Sequence, residues 1–229
     1  MRQLLLDLLP ETPPSLDNFV AGCNGEALAG LTAWLAPSNR EVSLLLWGDV
    51  GAGKTHLLRA CGASYHDAKR DADLRTVADD NFGETPAAAL FRAVDNVDAL
   101  SATGQIALFN LYNRLKAAGG RLLTAAALPP RQLSVREDLR TRLGSGLIYR
   151  LQPLTDDEKT AALAAQAAGR GMKLPAEALA YILARAPRDM RSLTALLTAL
   201  DRFSLEHQRP ITLPLLREVL LSPHETALS

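Results

Sequence analysis

The sequence predicts an α/β protein, a parallel sheet followed by a small all-helical unit. Three observations predict it. Short apolar runs alternate with helical patterns from Val42 to Leu151, as in parallel strands joined by crossover helices. The first run, Val42 to Trp47, delivers Gly48-Asp49-Val50-Gly51-Ala52-Gly53-Lys54-Thr55, which fits G-x-x-x-x-G-K-[ST] between a strand and a helix. Beyond Leu154 only helical patterns remain.

Taken in order, residues 1–14 form a separate piece. A leucine-rich tip, Met1 to Leu9, is followed by Pro10, Pro13 and Pro14, which hold the chain extended. A base domain then spans residues 15–153. Glu26 to Leu35 reads as a short helix, Val42 to Trp47 as the first strand and Lys54 to about Ala63 as the helix after the glycine-rich loop. Leu74 to Ala78 reads as a short strand and Thr85 to Ala87 as a turn or helix start. Ala88 to Val94 is a buried strand ending in Asp95-Asn96. Ala102 to Ala118 is a helix whose apolar face is read as Ile106, Phe109, Leu111 and Leu115, and Gly119-Gly120 stops it. Arg121 to Ala127 is a strand, the stretch around Arg136 to Leu143 a helix, and Leu147 to Leu151 the last strand. In the lid, residues 154–229, Thr155-Asp156-Asp157-Glu158 is a capping-box start. Helices are expected at 155–169, 176–186, 188–206 and 212–221, with Pro175, Pro187 and Pro214 near their starts.

Composition narrows the function. Among 229 residues, 48% are hydrophobic and 22% charged, the balance of a folded protein. Lys plus Arg equals Asp plus Glu, 25 each, so no global basic field points to DNA as the main ligand. Cys23 and Cys61 do not pair as C-x-x-C, and neither they nor the four histidines have metal-ligand spacing. Cys61 reads as a buried reduced thiol and His56 as a packing residue. No apolar run is long enough to span a membrane, and the leucine-rich start lacks a cleavage site, so the expected location is cytoplasmic.

The chemistry concentrates on the glycine-rich loop. Its backbone N–H groups curl around phosphate oxygens, Lys54 brings a positive charge to them, and Thr55 offers a hydroxyl to Mg²⁺. Asp95, an acid at a strand end, takes the Walker B place and would hold Mg²⁺ through water. Asn96 follows it where a hydrolysing site commonly carries a carboxylate. Arg92 inside that strand is unexpected, because a buried unpaired charge is costly. Arg140 and Arg142 lie two apart before the last strand; one of them at a subunit edge would reach phosphates held by a neighbour. Arg191, in the first turn of a lid helix, is poorly placed for the helix dipole and suits an anionic neighbour.

Several segments resemble one family in combination: the P-loop followed by His56-Leu57-Leu58, Asp95-Asn96, Leu111-Tyr112-Asn113-Arg114, Leu128-Pro129-Pro130-Arg131-Gln132-Leu133 and Ile148-Tyr149-Arg150-Leu151-Gln152-Pro153-Leu154. Together they resemble the AAA+ module of the DnaA family of replication initiators, over nearly the whole chain, and among its members the short regulatory Hda type. Ser15-Leu16-Asp17-Asn18-Phe19 looks like the family's lead-in to the nucleotide pocket. The chain ends soon after the lid, so the initiator's C-terminal DNA-binding domain and direct sequence-specific DNA binding are not expected. Gln3-Leu4-Leu5-Leu6-Asp7-Leu8 is similar to the Q-L-x-L-x-L peptide that docks on the DNA polymerase III sliding clamp. Gln3, Leu4, Leu6 and Leu8 would make that contact.

The resemblance implies a nucleotide site of Gly48, Asp49, Val50, Gly51, Ala52, Gly53, Lys54, Thr55, Asp95 and Arg191, with Mg²⁺ at Thr55 and Asp95 and ADP, or ATP, as cofactor. It implies Arg142 as an arginine finger acting in trans, with Arg140 the neighbouring alternative. It implies as partners the DnaA initiator and the clamp, and leaves a homodimer open. Two departures bear on activity. The sensor 1 polar residue falls at Ala127 and the basic residue after it at Leu128, so weak or no ATPase activity of its own is expected. The implied role is negative regulation of replication initiation, by stimulating hydrolysis of DnaA-bound ATP. The rivals are an autonomous ATPase such as a helicase loader and a binding module with a vestigial pocket.

Overall fold

The computed structural model describes residues 13–78, 90–172, 174–187, 189–207, 211–214 and 216. Residues from Pro13 to Pro153 form one unit and those from Leu154 onward another.

The first unit is built on five parallel strands: β1 (Ser43–Gly48), β2 (Ser64–Asp67), β3 (Phe91–Asp95), β4 (Arg121–Ala126) and β5 (Leu147–Leu151), in the order β2-β3-β4-β1-β5. Its helices are α1 (Gly25–Leu35), α2 (Lys54–Ala60), α3 (Arg75–Ala78), α4 (Ala102–Ala118) and α5 (Glu137–Gly144). A parallel sheet carries helices on both faces, so its strands are apolar on both sides. Accordingly Leu45, Val94, Leu122 and Ala126 join one buried cluster with Leu108, Leu111, Leu115, Leu139 and Leu143 of α4 and α5. Their neighbours Leu44, Leu46, Ala93, Leu123 and Ala125 point to the other face, against Leu31 and Trp34 of α1 and Leu57 and Leu58 of α2. This alternation fixes the register, because a one-residue slip would exchange the two faces.

Polar side chains tie the rim of the sheet to its connections. Buried Asn24 donates to the Gln152 carbonyl at 2.9 Å and accepts from the Gln152 N–H at 2.8 Å, pairing like a strand residue at the end of β5. Arg121 donates to the carbonyls of Trp34, Ala36 and Asn39, satisfying chain-end acceptors at the end of α1. Ser101 caps α4 by accepting from Gly104 N–H.

Apart from element ends, where α2 stops at Ala60 and β3 starts at Phe91, sequence and structure differ at four places in this unit. The strand expected at Leu74 to Ala78 is instead the short helix α3, with Leu74 and Val77 buried one helical turn apart. The second strand of the sheet is β2, a polar edge segment that carries no apolar run. On α4 the buried stripe is Gly104, Ala107, Leu108, Leu111, Tyr112 and Leu115, and Ile106 is 45% exposed. Arg92 is half-buried, and its Nη1 donates to the Phe91 carbonyl at 3.4 Å, so no isolated charge is buried in β3. The expected turn at Thr85 to Ala87 lies outside the described residues.

The second unit contains α6 (Asp156–Gly169), α7 (Ala176–Arg185) and α8 (Met190–His207). The capping box forms as read: Thr155 Oγ1 accepts from Glu158 N–H, and Glu158 Oε2 accepts from Thr155 N–H at 2.8 Å. Helix α8 starts two residues later than expected, where Asp189 Oδ1 accepts from Ser192 N–H at 2.9 Å. Leu163, Ala167, Leu179, Ile182, Leu193, Leu197 and Leu200 close its own core, joined by Ile211 and Leu216. Residues 213, 214 and 216 are helical, and most of the expected segment 212–221 lies outside the described residues. Among the described residues no helix is long and apolar enough to cross a membrane.

Candidate functional site at the P-loop

The loop between β1 and α2 needs its glycines. Gly48 has φ +145°, and a Cβ there would lie 2.0 Å from the Leu151 carbonyl oxygen, so the loop leaves β1 hard against β5. Gly53 has φ +94°, and its Cβ position lies 2.6 Å from the edge of the Phe19 ring. Phe19 therefore roofs the loop from the lead-in segment. That segment is held by a reciprocal turn in which Ser15 N–H donates to Asn18 Oδ1 and Asn18 N–H donates to Ser15 Oγ. His56 Nε2 donates to the Ser15 carbonyl at 2.9 Å, and its ring lies 5.5 Å from that of Phe19. The packing role read for His56 is thus to join α2 to the lead-in.

Lys54 opens α2 and folds its Nζ back over the loop, donating to the carbonyls of Gly48 at 2.6 Å and Asp49 at 2.9 Å. Burial lowers its pKa, opposed by the charges of Asp95, Asp98 and Asp49. A partly desolvated cation at the start of α2, beside a loop whose sequence matches the phosphate-binding pattern, fits an anion.

Asp95 is 1% exposed at the end of β3. Its Oδ2 accepts from Thr55 Oγ1 at 2.5 Å and from the Tyr65 hydroxyl at 2.9 Å, and its Oδ1 accepts from Asn96 N–H at 2.9 Å. Thr55 and Asp95, read separately from the sequence, are brought into direct contact. Burial, then the charge of Asp95 and the bond to it, pushes the Tyr65 pKa up to about 12, so the phenol stays a donor. Asn96 takes a left-handed conformation (φ 55°, ψ 47°), tolerated by Asn, and donates its amide to Asp67 Oδ1 at 2.8 Å. Across the sheet, Ala127 follows β4 with its N–H held by Asp98 Oδ1 at 2.9 Å; it presents a methyl group, and Leu128 beside it is 45% exposed.

Sequence reading missed Tyr65, Asp67 and Asp98. The first two lie on β2, and no local signal marks that strand. Only the strand order, which places β2 beside β3, gives them a role.

Arg140 and Arg142 lie away from the P-loop in the fold of this unit. Gly146 packs against Ser43, the first residue of β1, so the chain leaving α5 reaches β5 at the opposite end of the strands from the P-loop. Arg142, four residues earlier, holds its guanidinium 5.7 Å from the Tyr112 ring centroid and 5.9 Å from that of Phe109. Arg140 lies 3.8 Å from Glu137. Arg191 is exposed in the first turn of α8 and belongs to the second unit. Gln3, Leu4, Leu6 and Leu8 lie outside the described residues.

Cys61, which follows α2, is a free thiol whose burial pushes its pKa up to about 12. At pH 8 roughly one Cys61 in ten thousand would be thiolate, the form that reacts. Titration of the native protein with a chromogenic disulfide is therefore expected to show a prompt thiol, exposed Cys23, and a slow one, Cys61. Two prompt thiols would contradict the burial.

A five-stranded parallel sheet with a P-loop after β1, an acid ending β3 and a helical lid unit defines an AAA+ P-loop protein. The chain belongs to the bacterial DnaA ATPase-domain family, whose family model matches residues 12–150, and residues 156–220 match the Hda lid domain. Domain III of the Thermotoga maritima replication initiation protein DnaA shares the fold with a TM-score of 0.68 at 21% identity, over 94% of this chain and 100% of that one. AMPPCP-bound DnaA from Aquifex aeolicus gives 0.64 at 21% identity, over 88% of this chain and 71% of that one. The Thermotoga maritima RuvB Holliday junction branch migration motor gives 0.62 at 17% identity, over 91% and 72%.

Proposed function

We propose that this chain is an ADP-bound adaptor that restrains replication initiation by promoting hydrolysis of ATP on DnaA. The observation that carries the reading is a division of labour within one unit. The P-loop end of the sheet has the parts that hold a nucleotide, yet has Asn96 and Ala127 where water would be positioned. Arg140 and Arg142 lie on α5, whose chain leads to the start of β5 at the opposite end of the strands. The Hda-type lid and the DnaA-type base support the same reading.

In this reading the backbone of Gly48 to Thr55 cradles the phosphates of ADP. Lys54 exchanges its two carbonyl partners for phosphate oxygens, and Arg191 of the lid is the further residue assigned to the nucleotide. Thr55 and Asp95 would hold Mg²⁺, which would supply positive charge to neutralise the phosphates. Asn96 cannot take a proton from water, so hydrolysis at this site is slow. Residues 1–14 form the tether, with Gln3, Leu4, Leu6 and Leu8 docked on the DNA polymerase III sliding clamp. Residues 15–153 then meet ATP-bound DnaA, residues 154–229 serve as the lid, and Arg142 completes the partner's site. The reaction takes place in the cytoplasm, on clamp-loaded DNA.

The test is hydrolysis of radiolabelled ATP prebound to DnaA, with this protein, ADP and DNA-loaded clamp added, then with clamp omitted. Clamp-dependent acceleration is the expected result. Turnover of free ATP by this protein alone, lost in Lys54→Ala, would replace the adaptor with an autonomous ATPase.

A further inference from the structure

The edge strand β2 places Tyr65 and Asp67, two residues apart and so on one face, against the acid and amide that end β3. A carboxylate offers about four lone-pair sites. Three of those of Asp95 are already committed: Oδ2 to the hydroxyls of Thr55 and Tyr65, and Oδ1 to Asn96 N–H. A single site, on Oδ1, remains for a metal-bound water.

The two hydroxyls differ in what they leave available. Thr55 donates its hydroxyl hydrogen bond to Asp95 and keeps its oxygen lone pairs for a cation. Tyr65 reaches from the sheet side, and its ring packs in the apolar cluster beside α2. Its bond draws acceptor capacity from Asp95 and returns none to the metal. The ring is held in turn by the exposed Arg59, whose guanidinium lies 4.6 Å from its centroid.

We propose that Tyr65 is a positioning residue that holds Asp95 toward β2 and weakens its grip on hydrated Mg²⁺, so that the nucleotide is retained with little help from the metal. The proposal rests on the reading of the P-loop as a nucleotide site. It gives that site a physical reason to keep its nucleotide through changes in free Mg²⁺.

The test uses the full chain and a fluorescent ADP analogue, titrated in Mg²⁺ and in EDTA. Tyr65→Phe keeps the ring and removes the hydroxyl that donates to Asp95. The ratio of the dissociation constant in EDTA to that in Mg²⁺ is expected to rise at least threefold, with the EDTA value changed less than twofold. Adding Asp95→Asn to Tyr65→Phe should remove the gain, because the effect passes through that carboxylate. An unchanged or smaller ratio in folded Tyr65→Phe overturns the proposal and leaves the nucleotide site standing. No binding by the unsubstituted protein in either buffer overturns both. Should Tyr65→Phe fail to fold, Arg59→Ala loosens the ring from the surface. A rise in the ratio there supports the proposal, and an unchanged ratio overturns it.

Discussion

Arg142→Ala is expected to cut the clamp-dependent acceleration of DnaA-bound ATP hydrolysis by about 10³-fold, or down to the unstimulated rate if that is reached first. Arg142 lies in the last turn of α5, four residues before the chain meets the start of β1 at the end of the sheet remote from Gly48 to Thr55. Its charge is therefore assigned to a phosphate site on another molecule. An arginine finger is effective when its planar fork is already held, since less freedom is then lost on engagement. The Tyr112 and Phe109 rings, both on α4, supply that hold within 6 Å. Losing the ring contacts costs about 0.5–1 kcal/mol of stability, too little to unfold the base domain. Clamp binding should be unchanged. Arg142→Lys should recover little, because an ammonium cannot make two parallel bonds to phosphate oxygens. Arg140→Ala should stay near the unsubstituted rate, its side chain being drawn toward Glu137. Loss of stimulation in Arg140→Ala with retention in Arg142→Ala would move the finger two residues.

What the sequence made legible follows from how local each signal is. The P-loop is eight consecutive residues whose chemistry depends on order alone, so Lys54 and Thr55 were identifiable without a fold. The same holds for α4, bounded by a serine cap and closed by Gly119, and for β5; both fall where they were expected. Asp95 was legible as an acid after an apolar run. Its setting was not, because Tyr65 comes from a strand 30 residues earlier in the chain. Strand β2, an edge segment of Ser, Tyr, His and Asp, need not be apolar on both sides, so pattern reading passed over it. The apolar pair Leu74 and Val77 attracted the strand assignment instead, although its spacing of three is helical. Ile106 was misplaced for a related reason. The sequence reading gave α4 a face that included it, while the buried stripe runs through Gly104, Ala107 and Leu108. Gly104 counts there because its bare Cα lies under the Ala72 carbonyl.

Lys54→Ala should abolish the thermal stabilisation by ADP while leaving the nucleotide-free protein as stable as before. A hydrogen-bonded charge contact is worth about 1.5–3 kcal/mol, which weakens ADP binding about 10- to 150-fold. At an ADP concentration 100 times the original dissociation constant, stabilisation is about 2.7 kcal/mol. With a 100-fold weaker site the same concentration yields about 0.4 kcal/mol, and the melting shift nearly vanishes. The nucleotide-free protein should tolerate the change, because the cost of partly desolvating the ammonium offsets its bonds to the carbonyls of Gly48 and Asp49 and its attraction to Asp95, Asp98 and Asp49. Removing it relieves that desolvation as it removes the two bonds. The substitution therefore separates holding nucleotide from folding, and so decides what the nucleotide is for. If Lys54→Ala loses both ADP binding and the stimulation of DnaA, ADP orders the surface that meets the initiator. If it loses ADP binding and still stimulates with Arg142 in place, the arginine end of the sheet works alone and the P-loop is a remnant. A folded Lys54→Ala protein that binds ADP as tightly as the original would contradict the site itself.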